Sequence, residues 1–302
     1  MLAQVVVLGS LNMDLVARAP RLPVAGETLL GHGFLTTPGG KGANQALAAA
    51  RLGARTAMIG CVGQDDFGTR LRAGLEADGI DCSAVRSAPG PSGVALIVVD
   101  DQGQNGIVVA SGANAELTPA DVDRHEPLLA AASVVALQLE TPLATVAHAA
   151  RRARALGKTV ILNPAPAQPL AHGLLADVEY LVPNEVEAAI LTGIAVDSPA
   201  RAMEAGHALR AKGAANVLIT LGENGVVAVT RDGARHYPAA RVDAVDTTAA
   251  GDVFIGGLCA ALVSGRSLPD AIAFAQAAAA ISITRPGAQA SIPYAREVNA
   301  AG

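Results

Sequence analysis

Short apolar runs rich in β-branched residues alternate with Ala- and Leu-rich stretches along most of this 302-residue chain. Gln4–Leu8, closed by Gly9, reads as a buried strand. Ala43–Leu52 reads as a helix stopped by Gly53, and Thr56–Val62 as the next strand. The four-residue spacing of Phe67, Leu71 and Leu75 marks one face of another helix. From Pro119 the rhythm resumes: a helix to Ala131, a strand at Val134–Leu139, a helix at Leu143–Leu156 and a strand at Val160–Leu162. Val178–Val182 then reads as a strand and Glu185–Leu191 as a helix. Ser198-Pro199 is an N-cap and first-turn pair for a helix to Lys212, followed by a strand at Val217–Leu221. Hairpin-like strands at Val226–Thr230 and Arg235–Tyr237 precede two Ala-rich helices, near Ala250–Val263 and Pro269–Thr284. Such alternation predicts a mainly parallel central sheet with helices on both faces, a Rossmann-like α/β architecture.

Two segments break the rhythm. Residues 16–35 are interrupted by Pro20, Pro23 and several glycines, which suggests short strands on a loop-rich excursion. Val94–Val99 and Ile107–Ala110 flank DDQGQNG, a hairpin signal. Together they predict a small β subdomain beside the main sheet.

Composition narrows the function classes. Hydrophobic residues make up 51% and charged residues 16%, enough for a large core and unlike a disordered chain. Lys plus Arg total 22 against 27 Asp plus Glu, a net charge of -5, which offers no broad basic surface for nucleic acid. With 2% aromatics and no Trp there is no base-stacking platform. Cys61, Cys82 and Cys259 are scattered and odd in number, so reduced buried thiols are expected. The opening MLAQVVVLGSLNMD lacks a basic leader, and no run of about 18 apolar residues follows. The expectation is a soluble cytoplasmic protein with neither a membrane nor a nucleic acid as partner.

Familiar motifs fail. Gly9-Ser10-Leu11-Asn12 is not the dinucleotide fingerprint G-x-G-x-x-G. Gly157-Lys158-Thr159 ends like a phosphate loop, but Arg152 stands at the first required glycine and the segment precedes its strand. There is no G-x-S-x-G elbow or H-E-x-x-H helix, and the six histidines are dispersed.

What remains lies after strands, where ligands of parallel sheets bind. Pro38-Gly39-Gly40-Lys41-Gly42-Ala43-Asn44-Gln45 opens a helix with free N–H groups and the donors Lys41 and Asn44; it also fits a plain glycine turn. In Val245-Asp246-Thr247-Thr248-Ala249-Ala250-Gly251-Asp252, small residues leave N–H groups open to an oxyanion. Asp252, just inside that turn, suits a base beside a phosphoryl group, or else is an ordinary first-turn carboxylate. Asn12-Met13-Asp14 could bond vicinal hydroxyls or form an Asx turn. Glu140 with Gln138, Asn184-Glu185, and Thr220-Leu221-Gly222-Glu223-Asn224-Gly225 sit at further strand ends.

From Val5 to about Pro293 the chain resembles the ribokinase-like carbohydrate kinase family. The resemblance rests on Gly39-Gly40-Lys41-Gly42-Ala43-Asn44 with the later Gly53 and Gly63, and on Asp246-Thr247-Thr248-Ala249-Ala250-Gly251-Asp252. GGKGANQA, Asn163-Pro164-Ala165-Pro166-Ala167 and Thr284-Arg285-Pro286-Gly287-Ala288-Gln289 resemble its ribose-phosphorylating branch more than the fructose or adenosine branches. The resemblance implies ATP-dependent phosphorylation of D-ribose at O5, with Mg²⁺ accompanying ATP and K⁺ as activator. It implies one domain over residues 1–302, whose β-sheet lid, about 16–35 and 94–110, also forms a homodimer interface.

Roles follow from the same resemblance. Asp252 would be the base, and Ala249, Ala250 and Gly251 the anion hole. Asn12, Met13, Asp14, Gly39, Gly40, Lys41, Gly42, Ala43, Asn44, Glu140 and Asp252 would surround the sugar. Asn184, Thr220, Leu221, Gly222, Glu223, Asn224, Gly225, Gly251, Asp252 and Gln276 would line the ATP site. Asp246, Thr248, Ser282, Arg285, Gly287 and Ser291 would hold the monovalent cation, several through carbonyls. Ile255 and Gln276 depart from the pattern, where many relatives have Asn and His, and bear on the nucleotide pocket. The alternatives are a kinase for another pentose, deoxyribose or a nucleoside, and a non-catalytic sugar-binding protein.

Overall fold

The computed structural model describes residues 2–170 and 173–301. Its first strand, β1 (Val5–Leu8), is the apolar run VVVL and is buried throughout. Alternation splits it between two cores: Val5 and Val7 face one helix layer, Val6 and Leu8 the other. The strands after it are β2 (Asn12–Ala19), β3 (Gly33–Gly39), β4 (Thr56–Gly63), β5 (Asp81–Ala88), β6 (Gly93–Asp100) and β7 (Asn105–Ala110). Then come β8 (Val134–Leu137), β9 (Thr159–Leu162), β10 (Tyr180–Leu181), β11 (Asn216–Thr220), β12 (Val226–Thr230) and β13 (Gly233–Tyr237). Nine strands form one sheet in the order β13-β12-β11-β10-β9-β8-β1-β4-β5. Neighbours from β5 across to β11 are parallel; β12 and β13 add antiparallel at one edge.

The helices are α1 (Lys41–Arg51), α2 (Asp66–Ala77), α3 (Pro119–Arg124), α4 (Glu126–Ala131), α5 (Leu143–Ala155), α6 (Glu185–Thr192), α7 (Pro199–Ala211), α8 (Ala250–Val263), α9 (Leu268–Ile283) and α10 (Ala295–Ala301). Residues of α1, α2, α8, α9 and α10 pack with Val5 and Val7, and residues of α3 to α7 with Val6 and Leu8. The expected α/β class is therefore observed. Gly256 is needed for the closest of these packings: a Cβ there would meet Ala48 Cβ at 2.3 Å and Ala49 N at 2.7 Å. That approach of α8 to α1 brings the first turns of the two helices together.

The remaining four strands form a second sheet, β3-β2-β6-β7, with β2 parallel to β6 and the outer pairs antiparallel. Its strands are longer and start earlier than residues 16–35 and 94–110 suggested. Asn12-Met13-Asp14 is not a turn but the first stretch of β2, with Asn12 paired to Gly39. Three further expectations shift. The expected helix from Pro119 to Ala131 breaks at His125, because Pro127 has no N–H and its ring would strike the carbonyl one turn earlier. The strand expected at Val178–Val182 shortens to β10. β5 was not expected at all: its buried positions are largely small residues, Cys82, Ala84 and Ala88, which carry little periodic signal.

Candidate active site

The site starts from an unusual helix end. Ala249, the N-cap of α8, has φ 61, the only positive φ at a non-glycine among the described residues. A Cβ in that region costs roughly 1–2 kcal/mol, so the turn is held against local preference. No side chain caps the helix. Ala250 N–H bonds Thr247 O at 3.2 Å. The N–H groups of Gly251 and Asp252 have no partner among the described residues. Gly251 faces open space, since an added Cβ would meet nothing within 4 Å.

Asp252 is buried, and both its oxygens are occupied by amides of α1. Asn44 Nδ2 donates to Oδ2 at 3.0 Å, and Gln45 Nε2 to Oδ1 at 2.9 Å. Burial raises its carboxyl above the ordinary range; the Lys41 ammonium and the Asn44 and Gln45 bonds oppose this, and Glu140 adds to it. Lys41 is itself desolvated, which lowers its ammonium, but the carboxylates of Asp252, Glu140, Glu187 and Asp14 outweigh that and raise it. A charged lysine thus sits among four carboxyl groups.

The expected sugar residues gather on one side of Asp252. Glu140 Oε2 accepts from Ser10 Oγ at 2.6 Å, from Lys41 N at 3.1 Å and, more weakly, from Asn12 Nδ2 at 3.5 Å. Asn12 Oδ1 accepts from Asn114 Nδ2 at 2.7 Å. Asp14 lies against Gly39, where a Cβ would come within 2.3 Å of its Oδ2. Gly40 has φ 91 and an added Cβ would meet Asn12 N at 2.6 Å, so glycine is required there on both counts. Three members of the expected set serve packing instead. Met13 and Ala43 are in the core, and Gly42 lets α1 lie on the Gly9–Ser10 backbone.

On the other side of Asp252 a cleft of about 180 Å³ is lined by Ala249, Gly251, Lys41, Asn184 and Thr220, with Ile255 at its wall. Leu221 is buried and is not part of that lining. The loop over Gly222–Asn224 (with Glu223) and Gly225 falls outside that lining. Gly225 packs on Tyr237 and Ala239, and Gln276 Nε2 donates to Tyr237 O at 3.1 Å. A larger hollow, about 280 Å³, lies beside α2, but both its carboxylates are engaged: Asp65 caps α2 and holds Ser92, and Glu76 pairs with Arg72. We assign no chemistry to it.

Residues 2–295 match the pfkB family of carbohydrate kinases. The chain belongs to that family. It is 44% identical over 292 residues to the ribokinase of Haemophilus influenzae, covering 96% of this chain and 95% of the relative. It is 40% identical over 297 residues to a deoxyribokinase of Salmonella typhi, covering 98% and 97%. The structure of an Arabidopsis thaliana ribokinase complexed with ribose and ATP superimposes with a TM-score of 0.91 at 31% identity, covering 99% of this chain and 98% of that one.

In this pfkB-family chain the expected cation residues also converge. Asp246 Oδ1 accepts from Thr248 N at 2.9 Å and Thr248 Oγ1 at 2.5 Å, and its Oδ2 from Gly287 N at 2.8 Å. Burial would raise its carboxyl, but these bonds and Arg18 bring it below the ordinary range. Asp246 N and Val245 N both donate to Ile283 O. The side chains of Ser282 and Ser291 donate to the carbonyls of Ala279 and Ala288, and Arg285 pairs with Glu297. Carbonyl oxygens are therefore the ligands these segments have to offer.

Several site residues went unselected in the sequence. Gln45 and Gln138 carry no role in the sequence by themselves, and Asn163 stands there only within a family motif. Asn114 holds Asn12 from the far side of the second sheet. Glu187 lines the cleft and forms a capping box with Asn184. Only Glu187 had a local signal, the N-x-x-E spacing of that box.

Proposed function

We propose that this chain transfers the γ-phosphoryl group of ATP to the O5 hydroxyl of D-ribose, giving D-ribose 5-phosphate and ADP. The observation that carries the reading is Asp252: a buried carboxylate, gripped at both oxygens, beside unpaired N–H groups at the start of α8. In the transfer, O5 forms a bond to the γ-phosphorus while the bond to the bridging β–γ oxygen breaks, its electron pair leaving with ADP. The O5 proton goes to Asp252. Its raised pKa makes it a stronger base than a surface carboxylate, while Lys41 and the two amides favour the ionised form it needs. The N–H groups of Gly251 and Asp252 would receive the equatorial phosphoryl oxygens as charge spreads over them. Asn12, Asp14, Asn44 and Glu140 would bind the sugar hydroxyls, with Gly39 and Gly40 giving the backbone room. Asn184, Thr220 and the Gly222–Gly225 loop with Gln276 would take the nucleotide.

Mg²⁺ would arrive with ATP, held by phosphate oxygens and water, with Glu187 as the cleft carboxylate beside it; it neutralises β- and γ-oxygen charge. A monovalent cation would sit between the Asp246–Thr248 and Ser282–Ser291 segments, on the carbonyls of Asp246, Thr248, Ser282, Arg285, Gly287 and Ser291. Bound there, such an ion would stiffen the turn before α8 that these residues form. K⁺ should therefore raise both turnover and melting temperature over tetramethylammonium at equal ionic strength; identical values would remove the cation from the site. The second sheet is read as a lid over the sugar and as the contact of a homodimer. No helix among the described residues is long and apolar enough to cross a membrane, and the three buried free thiols suit a reducing cytoplasm.

The test is ADP release with a panel of pentoses and nucleosides, in wild type and Asp252→Asn. Ribose should give the highest kcat/KM, and the variant should lose about 10²–10⁴-fold, the worth of a positioned base. A preference for deoxyribose would favour the second reading, which the Salmonella typhi relative supports. Binding of ribose with no turnover would make the chain a sensor.

A further inference from the structure

Each amide that holds Asp252 is itself oriented by another. On one side Gln289 Nε2 donates to Asn44 Oδ1 at 3.2 Å, and Asn44 donates to Oδ2. On the other, Gln138 Nε2 donates to Gln45 Oε1 at 2.6 Å, and Gln45 donates to Oδ1. Every link donates toward the carboxylate, so the amide dipoles line up on the negative charge.

The direction of the second arm is forced. Gln45 Nε2 also faces Asn163 Oδ1 at 3.3 Å, and Asn163 is turned that way because its Nδ2 donates to Val182 O at 3.0 Å. Both groups facing the Gln45 nitrogen are acceptors, so its oxygen must face Gln138, which must present N–H. The consequence is visible: Gln138 is fully buried, and its Oε1 has no partner among the described residues. An orphaned buried acceptor carries a standing penalty and calls for an explanation. Gln138 lies just beyond β8, two residues before Glu140, with its side chain against Gly9, and is not among the residues that line the cleft.

On the phosphoryl-transfer reading above, we propose that Gln138 and Gln45 are positioning residues for the base. Gln138 fixes which way the Gln45 amide points, and Gln45 holds the Asp252 carboxylate ionised and in the plane that receives the sugar proton. The orphaned oxygen of Gln138 is the structural penalty of that orientation. The charged groups facing Asp252 are Lys41 from α1, Glu140 beyond β8, Asp14 on β2 and Glu187 on α6; none is altered in the variants below.

The deciding variant is Gln138→Met, close in shape, which trades the orphaned oxygen of Gln138 for an undonated Gln45 Oε1. It should melt close to the parental temperature, while kcat falls about 3–10-fold and the acidic limb of the kcat–pH profile moves to higher pH. KM for ribose and ATP should stay within about twofold, because the loss lies in the transition state. Gln45→Leu should shift the same limb further and lower kcat by about 10–100-fold, the scale of a hydrogen bond to a charged group. Placed in Asp252→Asn, Gln138→Met should change the residual rate no further. Parental kcat and pH limb in Gln138→Met would overturn the proposal. So would a loss shared by kcat, both KM values and melting temperature. Undiminished turnover in Asp252→Asn alone would instead remove the base assignment on which the proposal stands.

Discussion

Asp14, proposed above to bind the sugar, carries an ionisation that costs the fold stability. Burial first, then the neighbouring Glu140 and Asp252, raise its carboxyl to about 7, with Lys41 opposing. Its ordinary value is 3.8, so between about 4 and 7 the folded state holds a proton that the unfolded chain has released. Stability from this group therefore falls as pH rises through that window, and the loss is complete above it. Asp14→Asn removes the ionisable group and keeps the shape. It should melt above wild type at pH 8 and close to it at pH 4. Its KM for ribose should rise about 10–100-fold at pH 8, where charge-assisted bonds to hydroxyls are lost, while KM for ATP stays near normal. A lower melting temperature at pH 8 with both constants disturbed would make Asp14 a fold residue. At this scale the sequence exposed the groups with chemistry of their own: Asn12, Asp14, Asn44, Glu140 and Asp252. It did not expose Asn114 or the partners of Gln45, because a buried amide acquires a role from what faces it, and those partners lie 93 to 118 residues away or 102 residues away for Asn12 and Asn114.

At the scale of elements, the start of α8 separates packing glycines from functional ones. Gly256 is filled against α1, so its role is contact. Gly251 sits in the first turn of the same helix with nothing near the position of a Cβ. Helix propensity favours alanine there by about 1 kcal/mol, and sterics within the chain do not object. The open space is the cleft beside Asp252. Gly251→Ala should accordingly fold, melt slightly higher than wild type, and lose about 10²-fold or more in kcat as the methyl intrudes where the phosphoryl passes. Unchanged turnover would mean that the first turn of α8 does not face the transferred group. The alternation of strands and helices was legible because most of these elements carry long periodic apolar runs. The start of β2 was not, because Asn12 and Asp14 look like turn residues until β3 and β6 pair with them on either side. β5 escaped for the opposite reason, being buried through small side chains.

At the scale of the whole molecule, the second sheet joins Asn12 and Asp14, the residues proposed to bind the sugar, to the outside. Alternation along β2 puts Asn12 and Asp14 on one face with Val16, and the register carries that face on through Leu35, Ile97 and Ile107. At its foot Asn114, just past β7, bonds the backbone of Leu11 on both its N–H and its carbonyl, so the far end of the sheet returns to the sugar residues. Away from the site that face is apolar and bare: Leu35 is 55% exposed, Ile107 54% and Val109 45%, and β7 is an edge strand exposed along its whole length. Contiguous apolar surface on an open sheet edge marks an interface or an aggregation hazard. A second copy of the same sheet would cover it, as the homodimer reading requires. Ile107→Glu places a charge on the face shared with Asn12 and Asp14, within the surface a partner would bury. Sedimentation should then report a monomer where wild type is a dimer. KM for ribose should rise while KM for ATP, whose proposed site is the cleft at Asn184 and Thr220, changes little. A wild-type chain that sediments as a monomer at micromolar concentration would end the dimer reading. A variant that stays dimeric would move the contact to another surface. A monomeric variant with normal KM for ribose would leave the dimer but sever it from the sugar site.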